Sequence, residues 1–243
     1  MYIIIIISLF SLIPLGLSFI GKNPFYKDFL FAIPAIIIPV VFFALIEFFF
    51  ISWGIWGLNL DKTSGVQWIG IPLETYGLYA SISFFNLFIY SLNIRILKRE
   101  FFIHFHKIIT TMLLLGFLAG IIIFRKDLIT AMGALLCAFF LGYRSWVGKP
   151  KSMARFYMAF ATAQLPIFLA YILLTATGTF WFSDTQIIGI KLGPLPIDII
   201  LYELALFLLN VGIFDLLVLW KAPNTQVEFP DEIDTLSPPS ILD

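Results

Sequence analysis

Apolar residues in this chain run unbroken for the length of a membrane crossing and then give way to short polar stretches. Seven such runs stand at approximately Ile3 to Ile20, Phe29 to Ser52, Ile71 to Leu92, Ile108 to Phe124, Leu128 to Tyr143, Ala154 to Leu174 and Pro196 to Trp220. A helix needs roughly 20 predominantly apolar residues to cross the hydrocarbon core of a bilayer. The pattern predicts an all-α integral membrane protein with seven transmembrane helices. Met1-Tyr2 offers no basic segment and no small-residue cleavage site follows Ile20, so the first run is expected to persist as a helix and not to be removed as a signal.

The same pattern repeats. A gapless shift of 124 residues lays Gly54 on Gly178, Gly65 on Gly189, Pro72 on Pro196, Glu74 on Asp198, Asn86 on Asn210 and Ile89 on Ile213. It also lays the first three runs over the last three, with the fourth as a connector. Three crossings are odd in number, so a direct tandem copy would be inverted, and one intervening helix restores the orientation. The expected arrangement is 3+1+3 with two parallel repeats. Residues 1–94 form the first repeat, 95–126 the connector with the fourth helix, 127–220 the second repeat, and 221–243 an acidic, proline-bearing tail that reads as disordered.

Composition narrows the class further. Apolar types make up 60% of the 243 residues and charged types only 12%, about half the charged share of a soluble domain. Fifteen basic residues balance fifteen acidic ones, which leaves no basic excess for nucleic acid. The single cysteine, Cys137, rules out an internal disulfide. Basic residues favour cytoplasmic loops, and with the N-terminus outside the inner side would hold eleven of them: Lys22, Lys27, Arg95, Lys98, Arg99, Lys107, Arg144, Lys149, Lys151, Arg155 and Lys221. The outer side would hold four: Lys62, Arg125, Lys126 and Lys191. The expected placement is the cytoplasmic membrane, with the N-terminus outside and the C-terminus in the cytoplasm.

Candidate chemistry gathers between the second and third helices of each repeat. The first copy reads Gly54, Gly65, Pro72-Leu73-Glu74 and the second Gly178, Gly189, Pro196-Ile197-Asp198. The prolines are expected at the first helical position, where a missing N–H costs nothing, which puts the acids at the third. A carboxylate there can simply cap orphan backbone N–H groups. Glu47 lies inside the second run, and an acid in a membrane helix is by default a functional candidate; snorkelling to the surface is the alternative. Facing inward, it would share an aromatic-lined pocket with Glu74, Trp53, Trp56 and Trp68, to which the second copy adds Asp198, Glu203, Phe180, Trp181 and Phe182. Asn86 and Asn210 sit at mid-span, where such residues hydrogen-bond between helices or touch substrate.

Several chemistries find no support. The chain has no glycine-rich phosphate loop and no dinucleotide fingerprint, so neither nucleotide nor flavin is expected. No aspartate pair within a span could hold magnesium on a diphosphate, since Asp231 and Asp234 are in the tail. His104 and His106 lack a matching carboxylate for a metal site, and the seventh run has no internal lysine for a retinal Schiff base. Parallel repeats also occur in small solute carriers, which keeps a transporter as an alternative.

Glu47, Gly54, Trp56, Asn59, Gly65 and Pro72-Leu73-Glu74, followed by Pro196-Ile197-Asp198 in a parallel copy, resemble the cofactor-independent integral-membrane lycopene cyclases. That family includes paired small subunits, fused chains and a domain joined to phytoene synthase in fungi. The resemblance covers nearly the whole chain up to Lys221. It departs at Thr75 and Ile199, where the family commonly carries a second acid. It implies a carotenoid cyclase that forms rings at the ends of a linear carotenoid by acid-base isomerisation, without redox change, cofactor or metal. Carried onto this sequence, it implies Glu74 and Asp198 as the acid and base, with Glu47 assisting. Trp56, Asn59, Trp68, Trp181, Phe182, Asn86, Asn210 and Glu203 would bind substrate, and Gly54, Gly65, Pro72, Gly178, Gly189 and Pro196 would shape the loops. Expected partners are a linear carotenoid, membrane lipid, and a second copy of the chain or other carotenoid enzymes. A non-catalytic carotenoid-binding subunit is the remaining alternative.

Overall fold

The computed structural model describes residues 2–21, 24–96, 105–146 and 153–221. Lys22, Lys98, Arg99, His104, Lys149, Lys151 and the tail after Lys221 lie outside the described residues. Seven α-helices occupy the described chain: α1 (Tyr2–Leu17), α2 (Phe29–Ser52), α3 (Leu73–Ile96), α4 (His106–Ile123), α5 (Leu128–Trp146), α6 (Met153–Ala176) and α7 (Ile199–Lys221). Six are long and apolar enough to cross a membrane, and α1 is an apolar helix of shorter length.

The first run therefore gives a shorter helix than its hydropathy predicts. Sixteen residues at about 1.5 Å each rise only about 24 Å. Pro14 stands in the last turn of α1, the Ser18 hydroxyl donates to the Pro14 carbonyl at 2.6 Å, and the chain turns away at Gly21. Ile3, Ile6, Phe10 and Pro14 form the buried stripe of α1, which packs on α3.

Helices α3 and α7 are the most enclosed spans and form the centre. They contact each other, and α2 and α6 each pack against both; α1 leans on α3 and α5 on α7. The connector α4 packs mainly on α5 and is otherwise exposed. With lipid outside the bundle, burial of apolar surface drives little association, so close packing and internal hydrogen bonds set these contacts.

The loops at one end of the bundle add structure that hydropathy does not predict. Six short strands form three antiparallel ladders: β1 (Trp56–Leu58) with β4 (Phe180–Phe182), β2 (Gln67–Trp68) with β3 (Ile71–Pro72), and β5 (Lys191–Leu192) with β6 (Leu195–Pro196). Two or three residues are too few to show an alternating pattern. The all-α expectation thus holds for the bundle and not for its loops. The prolines also depart from expectation, because Pro72 and Pro196 end the hairpin strands β3 and β6 and do not open helices. Glu74 is accordingly the second residue of α3, and Asp198 immediately precedes α7, so neither takes the third helical position.

Glycine closes two of the helices that frame these loops. After α2, Gly54 adopts φ 65°, its N–H bonds the Ile51 carbonyl at 3.0 Å, and the Ile55 N–H bonds Phe50 at 2.8 Å. After α6, Gly178 adopts φ 64°, with matching bonds from Gly178 to Thr175 and from Thr179 to Leu174. This left-handed cap satisfies the last carbonyls of a helix and favours glycine. Both caps send the chain straight into the β1–β4 ladder, which is where the site is built.

Candidate active site

Glu47 faces inward from α2 and is fully buried. Its Oε2 accepts a hydrogen bond from the Trp56 indole at 2.6 Å and another from the Tyr79 hydroxyl at 2.9 Å, while Oε1 has no partner. Trp56 reaches it because the Gly54 cap and β1 fold the loop back over the end of α2. Tyr79 comes from α3, two turns into the bundle.

Across the centre a second acid stands in matching surroundings. Glu203 on α7 is buried, is paired with the hydroxyl of Tyr171 on α6, and leaves Oε2 without a partner. Glu203, Trp56, Tyr79 and Tyr171 line one enclosed space, together with Tyr202, Phe43, Phe180, Ile199 and Leu206. Its volume is about 10 Å³, room for about one water molecule. The walls are almost entirely aromatic or aliphatic. Trp56 meets Tyr202 with ring centres 4.8 Å apart, Phe50 at 5.1 Å and Phe182 at 5.8 Å, each edge to face.

Glu203 stands in the wall of this aromatic space and Glu47 lies directly behind it, bonded to the wall residues Trp56 and Tyr79; buried carboxyl groups so placed can give and take a proton with little competition from bulk solvent. Among the described residues no group of His, Cys, Asp and Glu is placed to hold a metal ion.

A family model described as Lycopene cyclase matches residues 1–93 and 126–217. The chain belongs to the lycopene cyclase family. Membership implies a cyclase of the isomerase type, in carotenoid biosynthesis, with a linear carotenoid as substrate. No curated relative and no solved structure matches it.

In this chain the expected site residues separate into groups. Trp56 and Glu203 line the small aromatic space, Glu47 lies behind it on the Trp56 indole, and Phe182 backs Trp56. Glu74 and Asp198 are buried but serve separate contacts. Glu74 Oε1 accepts the Ser64 backbone N–H, holding the loop before β2. Asp198 Oδ1 accepts the Thr130 hydroxyl, tying the start of α7 to α5. The other oxygen of each, Oε2 and Oδ2, has no partner.

Further out, Asn59 caps a short turn by accepting the Asp61 N–H at 3.0 Å, and with Trp181 it lines an open cleft of about 370 Å³ between the loops. Trp68 lies exposed on the β2–β3 hairpin against Tyr76, and Trp53 is also exposed. Neither joins the pocket that the sequence suggested for them. Asn86 and Asn210 are buried deeper in the bundle.

The residues that the sequence did not single out for this site are the tyrosines. Tyr79, Tyr171 and Tyr202 supply the hydroxyls and much of the wall. One signal was available in the 124-residue shift, which lays Glu47 on Tyr171 and Tyr79 on Glu203. Each pair reads as a mismatch until both are seen as one acid and one phenol with their helices exchanged.

Proposed function

We propose that this chain closes rings at the ends of a linear carotenoid by acid-base isomerisation, with Glu47 and Glu203 as the proton-transferring groups. The observation that carries the reading is that Tyr79 and Tyr171, which line one small aromatic space, each bond a buried carboxyl, Tyr79 to Glu47 behind the wall and Tyr171 to Glu203 within it. One carboxyl, protonated, gives its proton to C2 of the terminal C1=C2 double bond and leaves a cation at C1. The C5=C6 electrons then form the C1–C6 bond and move the positive charge to C5. Loss of the C6 proton to a carboxylate restores C5=C6 and completes the ring. Atoms and electrons balance with no oxidant or reductant. The faces of Trp56, Tyr79 and Tyr202 attract the cation, and exclusion of water keeps it from being trapped as an alcohol.

An enclosed space of about 10 Å³ is far below the roughly 300 Å³ at which ligand pockets begin. Substrate binding therefore requires the helices around it to part, and reclosure shuts the cation away from solvent.

We also read the architecture as two parallel repeats. Support comes from the β1–β4 register. Gly57 faces Trp181, 124 residues away, with Trp56 opposite Phe182 and Leu58 opposite Phe180. Beyond the ladder, Asn59 bonds Thr179 and Ser183 bonds Ile55. Each of these bonds is the image of the other under the same shift.

A second reading keeps Glu74 and Asp198 as acid and base, since each is buried with one unpartnered oxygen. Expression in a lycopene-accumulating bacterial host, with pigments resolved by chromatography and mass detection, tests both. The expected product is an isomer of unchanged mass with a ring-shifted absorption spectrum. Glu47→Gln and Glu203→Gln should abolish it, while Glu74→Gln and Asp198→Asn should retain it in part. The reverse result would move the chemistry to Glu74 and Asp198, and unchanged lycopene with wild-type protein confirmed in the membrane would overturn the cyclase reading for this substrate.

A further inference from the structure

Two turns below the carboxylates the core holds a second polar layer that this chemistry does not use. Asn86 lies seven residues beyond Tyr79 on α3, and Asn210 seven beyond Glu203 on α7. Gln164 lies seven before Tyr171 on α6, which runs the opposite way. Seven residues are about two turns, or about 10 Å. The three amides thus stand on the same helix faces as three groups that line the site, at one common depth. Ser83 lies on the same face of α3, one turn nearer the site.

Asn86, Asn210 and Ser83 are fully buried and Gln164 nearly so. Neither amide atom of Asn86, Gln164 or Asn210 has a hydrogen-bond partner, nor has the Ser83 hydroxyl. About one further turn down, the chain becomes ionic. Tyr90 donates to Asp215 at 2.9 Å, and Arg144 donates to Asp215 at 2.9 Å and to the Tyr90 hydroxyl at 3.4 Å. Buried amides left unpaired are costly, and folded proteins satisfy such groups with ordered water. Polar groups therefore mark the inner faces of α3, α6 and α7 from the carboxylates down to the ion pair.

We propose that Ser83, Asn86, Gln164 and Asn210 hold a file of water molecules that carries protons between the Glu47–Glu203 site and the Tyr90–Arg144–Asp215 cluster at the other end of the bundle. The inference rests on the cyclase reading and deepens it. Each ring takes up one proton at C2 and releases one from C6, so no net proton is needed. The file instead lets the released proton leave and a solvent proton replace it between turnovers, which restores the protonated acid whichever carboxylate received the last one.

The test is solvent labelling. Proteoliposomes holding the full chain are fed unlabelled lycopene in deuterium oxide, and deuterium per ring is read by mass spectrometry. Wild-type protein is expected to place close to one deuterium in each ring. Gln164→Leu, and separately Asn86→Leu with Asn210→Leu, should lower that fraction at least threefold in the rings they still form, as the proton released from substrate is recycled within a closed site. Two variants on different helices guard against failure of either to fold. Rings without label from the wild type, or full label from both variants, would overturn the water file while leaving the cyclase reading intact. Absence of any ring from the wild type would overturn the cyclase reading and this inference with it.

Discussion

The Glu47 carboxylate has two donors on one oxygen and none on the other. That asymmetry fixes the group while leaving Oε1 without a partner, which suits the acid-base role proposed for it. General acid-base groups contribute about 10²–10⁴ in rate, so Glu47→Gln should lower ring formation by at least about 100-fold at matched protein level. Tyr79→Phe removes one donor and keeps the Trp56 bond, and should cost about tenfold, on the scale of the about 1 kcal/mol that one hydrogen bond contributes. Tyr171→Phe should behave in the same way through Glu203. Ratios of cyclic to linear pigment in the lycopene-accumulating host would measure all three. At this scale Glu47 was legible as a candidate, because it interrupts an apolar run and a charge there needs a reason; its pairing with Glu203 was not, since the repeated motifs pointed to Glu74 and Asp198 as acid and base. The phenols were not. Nine tyrosines among 28 phenylalanines carry no individual signal, and exchange of acid and phenol between helices hides the correspondence.

Helices declare themselves by length and hydropathy, and α2 begins and ends where the apolar run does. What hydropathy cannot show is which helix approaches which, since lipid-facing and core-facing residues are equally greasy in this chain. A close approach decides part of it. A Cβ at Gly133 on α5 would lie 2.8 Å from the Leu201 Cβ and 3.0 Å from the Tyr202 ring on α7. Gly133→Ala must therefore push α7 away, together with Tyr202 and Glu203. Overpacking of this kind costs about 1–3 kcal/mol, and a lower thermal midpoint in detergent with reduced ring formation is the expected result. The loop hairpins were illegible for another reason: in the β2–β3 turn Ile69 adopts the left-handed region at φ 52°, just before Gly70 at φ 73°, where residues other than glycine are uncommon. An Ile69→Gly exchange should relieve about 1 kcal/mol of strain, raising the same midpoint.

For the whole molecule, we propose from the distribution of Lys and Arg that the ladder end faces outward, as the positive-inside rule expects. Cys137 is buried, so a cysteine introduced at exposed Asp61 should be the reactive thiol. Asp61→Cys is expected to label from outside intact cells with a membrane-impermeant maleimide, and labelling only after lysis would reverse the orientation. The fold class and the span count came within one short helix of the hydropathy pattern, because a bilayer leaves few options to an apolar chain. The gathering of Tyr79, Tyr171 and Glu203 about one space, with Glu47 behind it, depends on the packing of α2, α3, α6 and α7 about one centre, which no single segment encodes.

The β1–β4 ladder turns about the facing pair Gly57 and Trp181. A strand that pairs with its own counterpart about such a centre makes an isologous joint, in which one surface serves as both partners. On the proposed repeat reading, half of the chain, with three helices and one such strand, would carry both sides of the seam by which a second half is joined. Covalent joining of two such halves would fix their stoichiometry and would free each side of the joint to differ, as the tryptophan facing a glycine does.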